Sequence, residues 1–296
     1  MLFLKNIQRC LVRSIPALAV VALLAGTSGA AETESTPPEK PVNEAMVEPV
    51  QRDRITVEYV KGYFSDTGRI VASPITWDGN DWLAAALVVG AASGIYFADA
   101  DIRNFAQRNQ NLIDDRFANI GNSIGNPLFI LPPLGLFYLY GHIYDDPKAR
   151  RATLLAVESL AISSVFAMTL KLATQRPRPH TGESSTTWDG PGLNNMSSSF
   201  PSMHTQSAFS VAAVFAEEYD SNPYVAPLAY GLATLTGLSR IYSDKHWASD
   251  AFFGAALGYF VGKAVVRYHP RGNKNDLTIL PTVTQQGFGL MAEYHF

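Results

Sequence analysis

The chain has 296 residues, 47% of them hydrophobic, with 16 Phe, 13 Tyr and 4 Trp, one cysteine, and a formal charge of −3. A single cysteine excludes a disulfide-stapled scaffold, and the aromatic content excludes disorder of the whole chain. The mild acidic balance, with no basic run, argues against a nucleic-acid partner.

Residues 1–30 read as a secretory leader. Lys5, Arg9 and Arg13 form a basic start, Ile15 to Gly26 an apolar run, and Ser28-Gly29-Ala30 a small-residue cleavage region. The alternative is an uncleaved anchor helix, for which the apolar run is short. Cleavage would remove Cys10 and leave 20 basic against 26 acidic residues, a charge of −6. Residues 31–53, rich in Glu and Pro, are expected to be a solvated tether. The segment 54–81 mixes aromatics with Gly, Pro and Asp and reads as an irregular lead-in. A helical domain is expected over 82–267, with a tail over 268–296.

Six apolar stretches carry that domain: Trp82 to Ala98, Ile124 to Tyr144, Ala152 to Leu170, Thr205 to Ala216, Ser221 to Ser239 and Ala251 to Gly262. The fold class is therefore all-α, a bundle of about six core helices. A membrane-spanning helix needs about 20 apolar residues, and only three stretches have 19 or more. Glu158 sits at the centre of one of them, so six helices packed around a buried polar site would look the same in a soluble bundle. In the tail, Phe288, Leu290, Ala292, Tyr294 and Phe296 alternate with small or polar residues. That is strand periodicity, and with Leu277 to Thr284 it predicts a short β-hairpin. One hairpin cannot close a barrel.

Three clusters at the ends of these stretches carry the chemistry. In Lys171 to Pro179 (KLATQRPRP), two prolines disfavour helix at Arg176 and Arg178. Lys171 should thus end a helix and Arg178 fold back over it. In the second cluster, Pro201-Ser202-Met203-His204 opens a helix, where free backbone N–H groups and the Ser202 hydroxyl make an anion site beside His204. In the third, SRIYSDKHWASD, Arg240 adds a cation. His246 and Asp250 are four residues apart, so on a helix the carboxylate could hold one ring nitrogen and leave the other free. Each cluster alone is ordinary: a basic helix end, a cap, a surface pair.

Together they hold three fixed cations, an oriented histidine, a second histidine and a helix N-terminus. Arg and Lys suit phosphate oxyanions, His246 can attack phosphorus, and His204 can protonate the departing oxygen. No cysteine remains, and no compact His/Asp/Glu ligand set is visible, so neither a metal nor any other cofactor is expected. His142, His180, His269 and His295 lack matching partners and read as loop or surface residues. Trp247 reads as a packing anchor. Glu158 could pair with a site cation or be a hydrogen-bonded acid between helices; Asp244 and Lys245 could flank the last helix.

In order and spacing these clusters resemble the signature of the type 2 phosphatidic acid phosphatase and vanadium haloperoxidase superfamily. Lys171, Arg178 and Pro179 match its first element, Pro201, Ser202 and His204 its second, and Ser239, Arg240, His246 and Asp250 its third. The resemblance covers roughly Trp82 to Arg267. It implies a helical bundle with the site at one end, His246, His204 and Asp250 as catalytic residues, and Lys171, Arg178, Ser202, Met203 and Arg240 around the phosphate. It also implies a phosphohistidine intermediate without metal. Met203 stands where the family has glycine. Methionine preserves a backbone donor if the position is helical, and narrows the pocket if the phosphate must approach closely.

The implied activity is hydrolysis of a phosphate ester or diphosphate, with a phosphorylated lipid as the expected partner and no obligate protein partner. Alternatives are a periplasmic non-specific acid phosphatase acting on soluble esters, a vanadate-dependent haloperoxidase, for which the chain is short, and a non-catalytic envelope protein. The implied location is the bacterial cell envelope, exported and membrane-associated, with the site facing the periplasm; a soluble periplasmic bundle is the alternative. An outward-facing site requires an even number of spans before Lys171. Setting Trp82 to Ala98 aside as too short satisfies that parity and places Lys148, Arg150 and Arg151 inside.

Overall fold

The structure is a computed structural model that describes residue 53 and residues 55–192, 198–270, 277–284 and 287–294. The leader expected at 1–30 and the tether, except for Asp53, lie outside the described residues, as does His295. Asp53 itself is ion-paired with Arg150 at 2.6 Å.

Eight α-helices are present among the described residues: α1 (Val57–Ala72), α2 (Gly79–Arg108), α3 (Leu112–Ile124), α4 (Pro127–Ile143), α5 (Pro147–Thr174), α6 (Met203–Glu218), α7 (Val225–Tyr242) and α8 (Ala248–Tyr268). Their starts follow the local chemistry. Asp78 accepts from the Asn80 and Asp81 amides at 2.8 and 2.9 Å to open α2, and Asp81 accepts in return from the Asp78 amide at 3.2 Å. Asp146 caps α5 through the Lys148 and Ala149 amides, with Pro147 in the first turn.

All six apolar stretches are helices, and α1 and α3 are additional. The irregular lead-in expected over 54–81 is instead helical, comprising α1, a 3-10 turn at Ser73–Thr76 and the start of α2. The inward face of α1 is polar and aromatic: Tyr59 and Asp66 are buried and Tyr63 half-buried. Its apolar residues Val57, Val60, Phe64 and Val71 recur at helical spacing but are exposed, so the side that packs inward is not the apolar one.

At the centre of the bundle lies α6, enclosed on every side from Thr205 to Val214, so its short apolar run needs no outward face. Ile130 and Leu134 from α4, Leu155 and Leu160 from α5, Val214 from α6, and Val261 and Val265 from α8 form the main core. Helix α8 approaches α6 through Gly258, where a Cβ would lie 2.2 Å from the Gln206 carbonyl oxygen. Likewise α3 meets α7 at Gly121, whose Cβ would come within 2.8 Å of the Leu235 oxygen. That contact places Asn122 against Arg240.

On the outside, α2 buries only Val88 and Asp99, while Trp82, Leu83, Leu87, Val89 and Phe97 are exposed. Along α4, Leu128, Phe129, Leu136 and Ile143 are exposed too. Two helical segments, Gly79–Arg108 and Pro147–Thr181, are long and apolar enough to cross a membrane. Setting Trp82 to Ala98 aside as too short was therefore incorrect. The helix continues through Asp99 to Arg108 for 30 residues, about 45 Å of axis.

The tail forms the expected hairpin. β1 (Leu277–Thr284) and β2 (Gly287–Tyr294) pair antiparallel, from Leu277 opposite Tyr294 to Thr284 opposite Gly287. Pro281 is compatible with a two-stranded sheet, where each strand is an edge.

Candidate active site

At one end of the bundle, the C-terminal turns of α5 and α7 meet the N-termini of α6 and α8. Lys171, in the last turn of α5, is buried, and its ammonium donates to the Ser198 carbonyl. Gln175 ends that helix in the left-handed conformation, with φ 43°. The chain then runs extended to Arg178, as the two prolines require. Arg240, 9% exposed at the end of α7, donates to Asn122 Oδ1 at 2.8 Å. Its Nε is buried without a hydrogen-bond partner. Among the described residues neither Lys171 nor Arg240 has a carboxylate in ion-pair contact. An uncompensated buried guanidinium N–H is costly unless an anion takes it.

Helix α6 opens at this point. Ser202 is fully buried and serves as its N-cap, with Oγ 2.9 Å from Thr205 Oγ1 and 3.5 Å from the Thr205 amide. The cap uses its oxygen as an acceptor, which leaves the hydroxyl proton for Thr205 Oγ1 or for an anion. The amides of Met203 and His204 come before the first intrahelical acceptor and remain available. Met203 is the first helical residue and its φ is not positive, so the position makes no conformational demand for glycine.

His246 is placed differently from the sequence expectation. It precedes α8 rather than sharing a helical face with Asp250, and its Nδ1 is 4.0 Å from the nearer carboxylate oxygen, too far for a hydrogen bond. Nδ1 lies instead 2.7 Å from the Ser199 carbonyl oxygen. Only an N–H can use that acceptor, so Nε2 is left with its lone pair. Asp250 holds the surroundings of the ring: it accepts from the Ser199 hydroxyl, from the Trp247 amide at 2.9 Å and from Arg176 at 2.6 Å. It meets His246 through Ser199, whose carbonyl holds the ring. Trp247 is an anchor, with its indole N–H donating to the Pro177 carbonyl at 3.0 Å.

Arg176 is the main residue that sequence reasoning missed. It is fully buried and bridges Asp99 at 2.8 Å and Asp250 at 2.6 Å, beneath the rings of Tyr96, Trp188 and Trp247. Asp99 also accepts from the Ser249 amide and hydroxyl, tying α2 to the start of α8. An acidic residue inside the long apolar α2 was the available signal. Asp244 pairs with Arg103 through both carboxylate oxygens at 2.7 Å, which fixes the loop before His246. The exposed His180 is paired as well, its Nδ1 lying 3.1 Å from the Asp244 carbonyl oxygen.

Burial and the surrounding cations set the two histidines. Burial, then Lys171, Arg240 and Arg178, push His246 well below the usual imidazole range. Burial, then Arg240, Arg178 and Lys171, lower His204 to about 4. Both rings are therefore neutral near pH 7. The arrangement is a buried group of cations around a neutral imidazole, a combination whose chemistry suits an oxyanion.

Comparison with known proteins finds similar sequences and folds. Residues 152–274 match the model of the PAP2 superfamily. The chain is 31% identical over 159 residues to a lipid A 1-phosphatase of Porphyromonas gingivalis, an alignment covering 52% of this chain and 33% of that one. It thus spans about a third of that relative's length. Among solved structures, Aquifex aeolicus LpxE has 22% identity and a TM-score of 0.45, over 57% of this chain and 95% of that one. A PAP2-type phosphatidylglycerolphosphate phosphatase from Bacillus subtilis has 17% identity and a TM-score of 0.45, over 73% and 98%.

Proposed function

We propose that the protein is a lipid phosphatase that releases phosphate through a phosphohistidine on His246, without a metal at phosphorus. The observation that carries this is the convergence of Lys171, Arg178 and Arg240 on a neutral imidazole whose Nδ1–H is committed to the Ser199 carbonyl. The cations and the α6 amides would hold the nonbridging phosphoryl oxygens. His246 Nε2 attacks phosphorus, the bond to the ester oxygen breaks, and protonated His204 delivers a proton to that oxygen. Water then attacks the phosphoramidate, His204 takes the proton from water, and the P–N bond breaks to free phosphate.

A lipid substrate is favoured by the name of the P. gingivalis relative and by the exposed apolar faces of α2 and α4, which suit a bilayer. On this reading the protein is membrane-associated in the cell envelope, with the pocket on the exported side. The test is a phosphate-release panel on detergent-solubilised protein, spanning phosphatidic acid, phosphatidylglycerol phosphate, polyprenyl diphosphate, lipid A and soluble esters. We expect kcat/KM for a lipid phosphate to exceed that for soluble esters by at least about tenfold, with competitive inhibition by vanadate. Equal or greater rates on soluble esters would favour a non-specific acid phosphatase, and no release from any substrate would overturn the reading.

His204 gives a pH signature. Protonated His204 is the acid, so activity falls as pH rises through its pKa. In the anion-free enzyme that value is about 4. A bound phosphate dianion offsets the cations and raises it. The descending limb of kcat/KM should therefore lie at lower pH than that of kcat, and His204→Ala should lose the limb and slow alkyl phosphates more than aryl phosphates. Equal losses on both leaving groups would contradict the acid role.

A further inference from the structure

Far from the catalytic pocket, Asp66 of α1, Glu158 of α5 and His269 at the end of α8 bring their ligating atoms within 4.8 Å of one another. Between Glu158 and Lys171 lie about 20 Å of helix axis, and His269 is at the opposite end of α8 from His246. The three residues come from separate segments, and the sequence expectations left each without a metal role. His269 is not the surface residue it was expected to be, and Glu158 is the acid between helices rather than a partner for the catalytic cations.

We propose that Asp66, Glu158 and His269 form a structural zinc site that clamps α1 to the bundle. His269 Nδ1 lies 3.1 Å from the Val265 carbonyl oxygen, which accepts its N–H. That bond turns Nε2 and its lone pair toward the two carboxylates, the orientation in which a backbone carbonyl commonly holds a metal-binding histidine. Nε2 stands 3.6 Å from Asp66 Oδ2 and 3.9 Å from Glu158 Oε2. Both distances are too long for hydrogen bonds. They lie close to the edge of a tetrahedral zinc site, about 3.3–3.6 Å for ligands at ordinary bond lengths.

The neighbouring groups leave the site with a charge deficit. Glu158 is completely buried, its Oε2 accepts from the Tyr59 hydroxyl at 2.7 Å, and its Oε1 has no hydrogen-bond partner. Asp66 is 3% exposed and meets Arg69 at 3.3 Å through its other oxygen, Oδ1. Arg151 is committed to Glu218 at 3.1 Å and to the His269 carbonyl. One imidazole and two carboxylates, with water in the fourth position, suit zinc, whose charge would offset the two buried carboxylates.

The test uses untagged full-length protein in detergent, stripped with EDTA, incubated with zinc sulfate and desalted. We expect one zinc per chain by elemental analysis, and a rise in Tm of about 5 °C or more on adding zinc. His269→Ala and Asp66→Asn should each lose both effects, while His246→Ala keeps them. Wild-type protein retaining under about 0.1 zinc per chain would overturn the proposal, as would equal uptake by the wild type and both site variants. Uptake lost in His246→Ala but kept in His269→Ala would place the metal in the catalytic pocket instead, and would equally overturn it. Wild-type uptake settles the matter directly should a variant fail to fold.

Discussion

His246→Ala should lower phosphate release by about 10⁴-fold or more, because on the proposed mechanism it removes the atom that bonds to phosphorus. The pocket outlives the substitution. Lys171, Arg178 and Arg240 are positioned by α5, the proline-bounded segment and α7, none of which depends on the imidazole. Inorganic phosphate should therefore still bind within several-fold of the wild-type affinity, by calorimetry, while turnover is lost. His246→Asn separates chemistry from packing, since its amide can donate to the Ser199 carbonyl but cannot accept a phosphoryl group in the same way. Wild-type turnover in either variant would remove His246 as nucleophile. Loss of phosphate binding together with turnover would show that the ring shapes the site rather than reacting in it.

Arg176→Met should produce the largest loss of stability. The guanidinium is fully buried between Asp99 and Asp250, and removing it leaves two carboxylates in the interior without a counter-charge. Breaking a buried pair from one side costs about 3–5 kcal/mol, which for a domain of this size lowers Tm by about 6–20 °C. Arg176→Lys keeps the charge but not the two-pronged geometry that spans both acids, and should fall between. Thermal unfolding of the detergent-solubilised variants measures this. An unchanged Tm for Arg176→Met would mean that the acids take up protons or water without cost. Because Asp250 also accepts from the Ser199 hydroxyl, beside the carbonyl that holds His246, the same substitution should reduce turnover even below its lowered Tm.

The contrast between these residues shows what a sequence makes legible. Lys171, Arg178, Ser202, His204, Arg240 and His246 could be read because local rules place them: two prolines break the chain after α5, a serine caps α6, and each residue sits at a helix end. The six long helices were legible because their cores are aliphatic. Arg176, Asp99, Asn122 and Ser199 act only through partners brought in by the tertiary fold, Asp99 on the Ser249 amide across 150 residues of chain. No local pattern marks such a pair. The reading of Asp250 failed because spacing by four implies contact only on a helix, and α8 begins after His246. Helix α1 turns its apolar stripe of Val57, Val60, Phe64 and Val71 outward and Tyr59, Tyr63 and Asp66 inward, so a search for long apolar stretches passes over it, and Glu158 and His269 find their partner on that same helix.

The central claim is that phosphate passes through His246. Rapid acid-free quenching of the wild-type protein with a ³²P-labelled lipid phosphate, followed by proteolysis under alkaline conditions and peptide mapping, tests it most directly. The account predicts one acid-labile, base-stable phosphoramidate on the peptide containing His246, absent from His246→Ala. Label on another residue, or full turnover with no trapped phosphoenzyme at any time point, would contradict it.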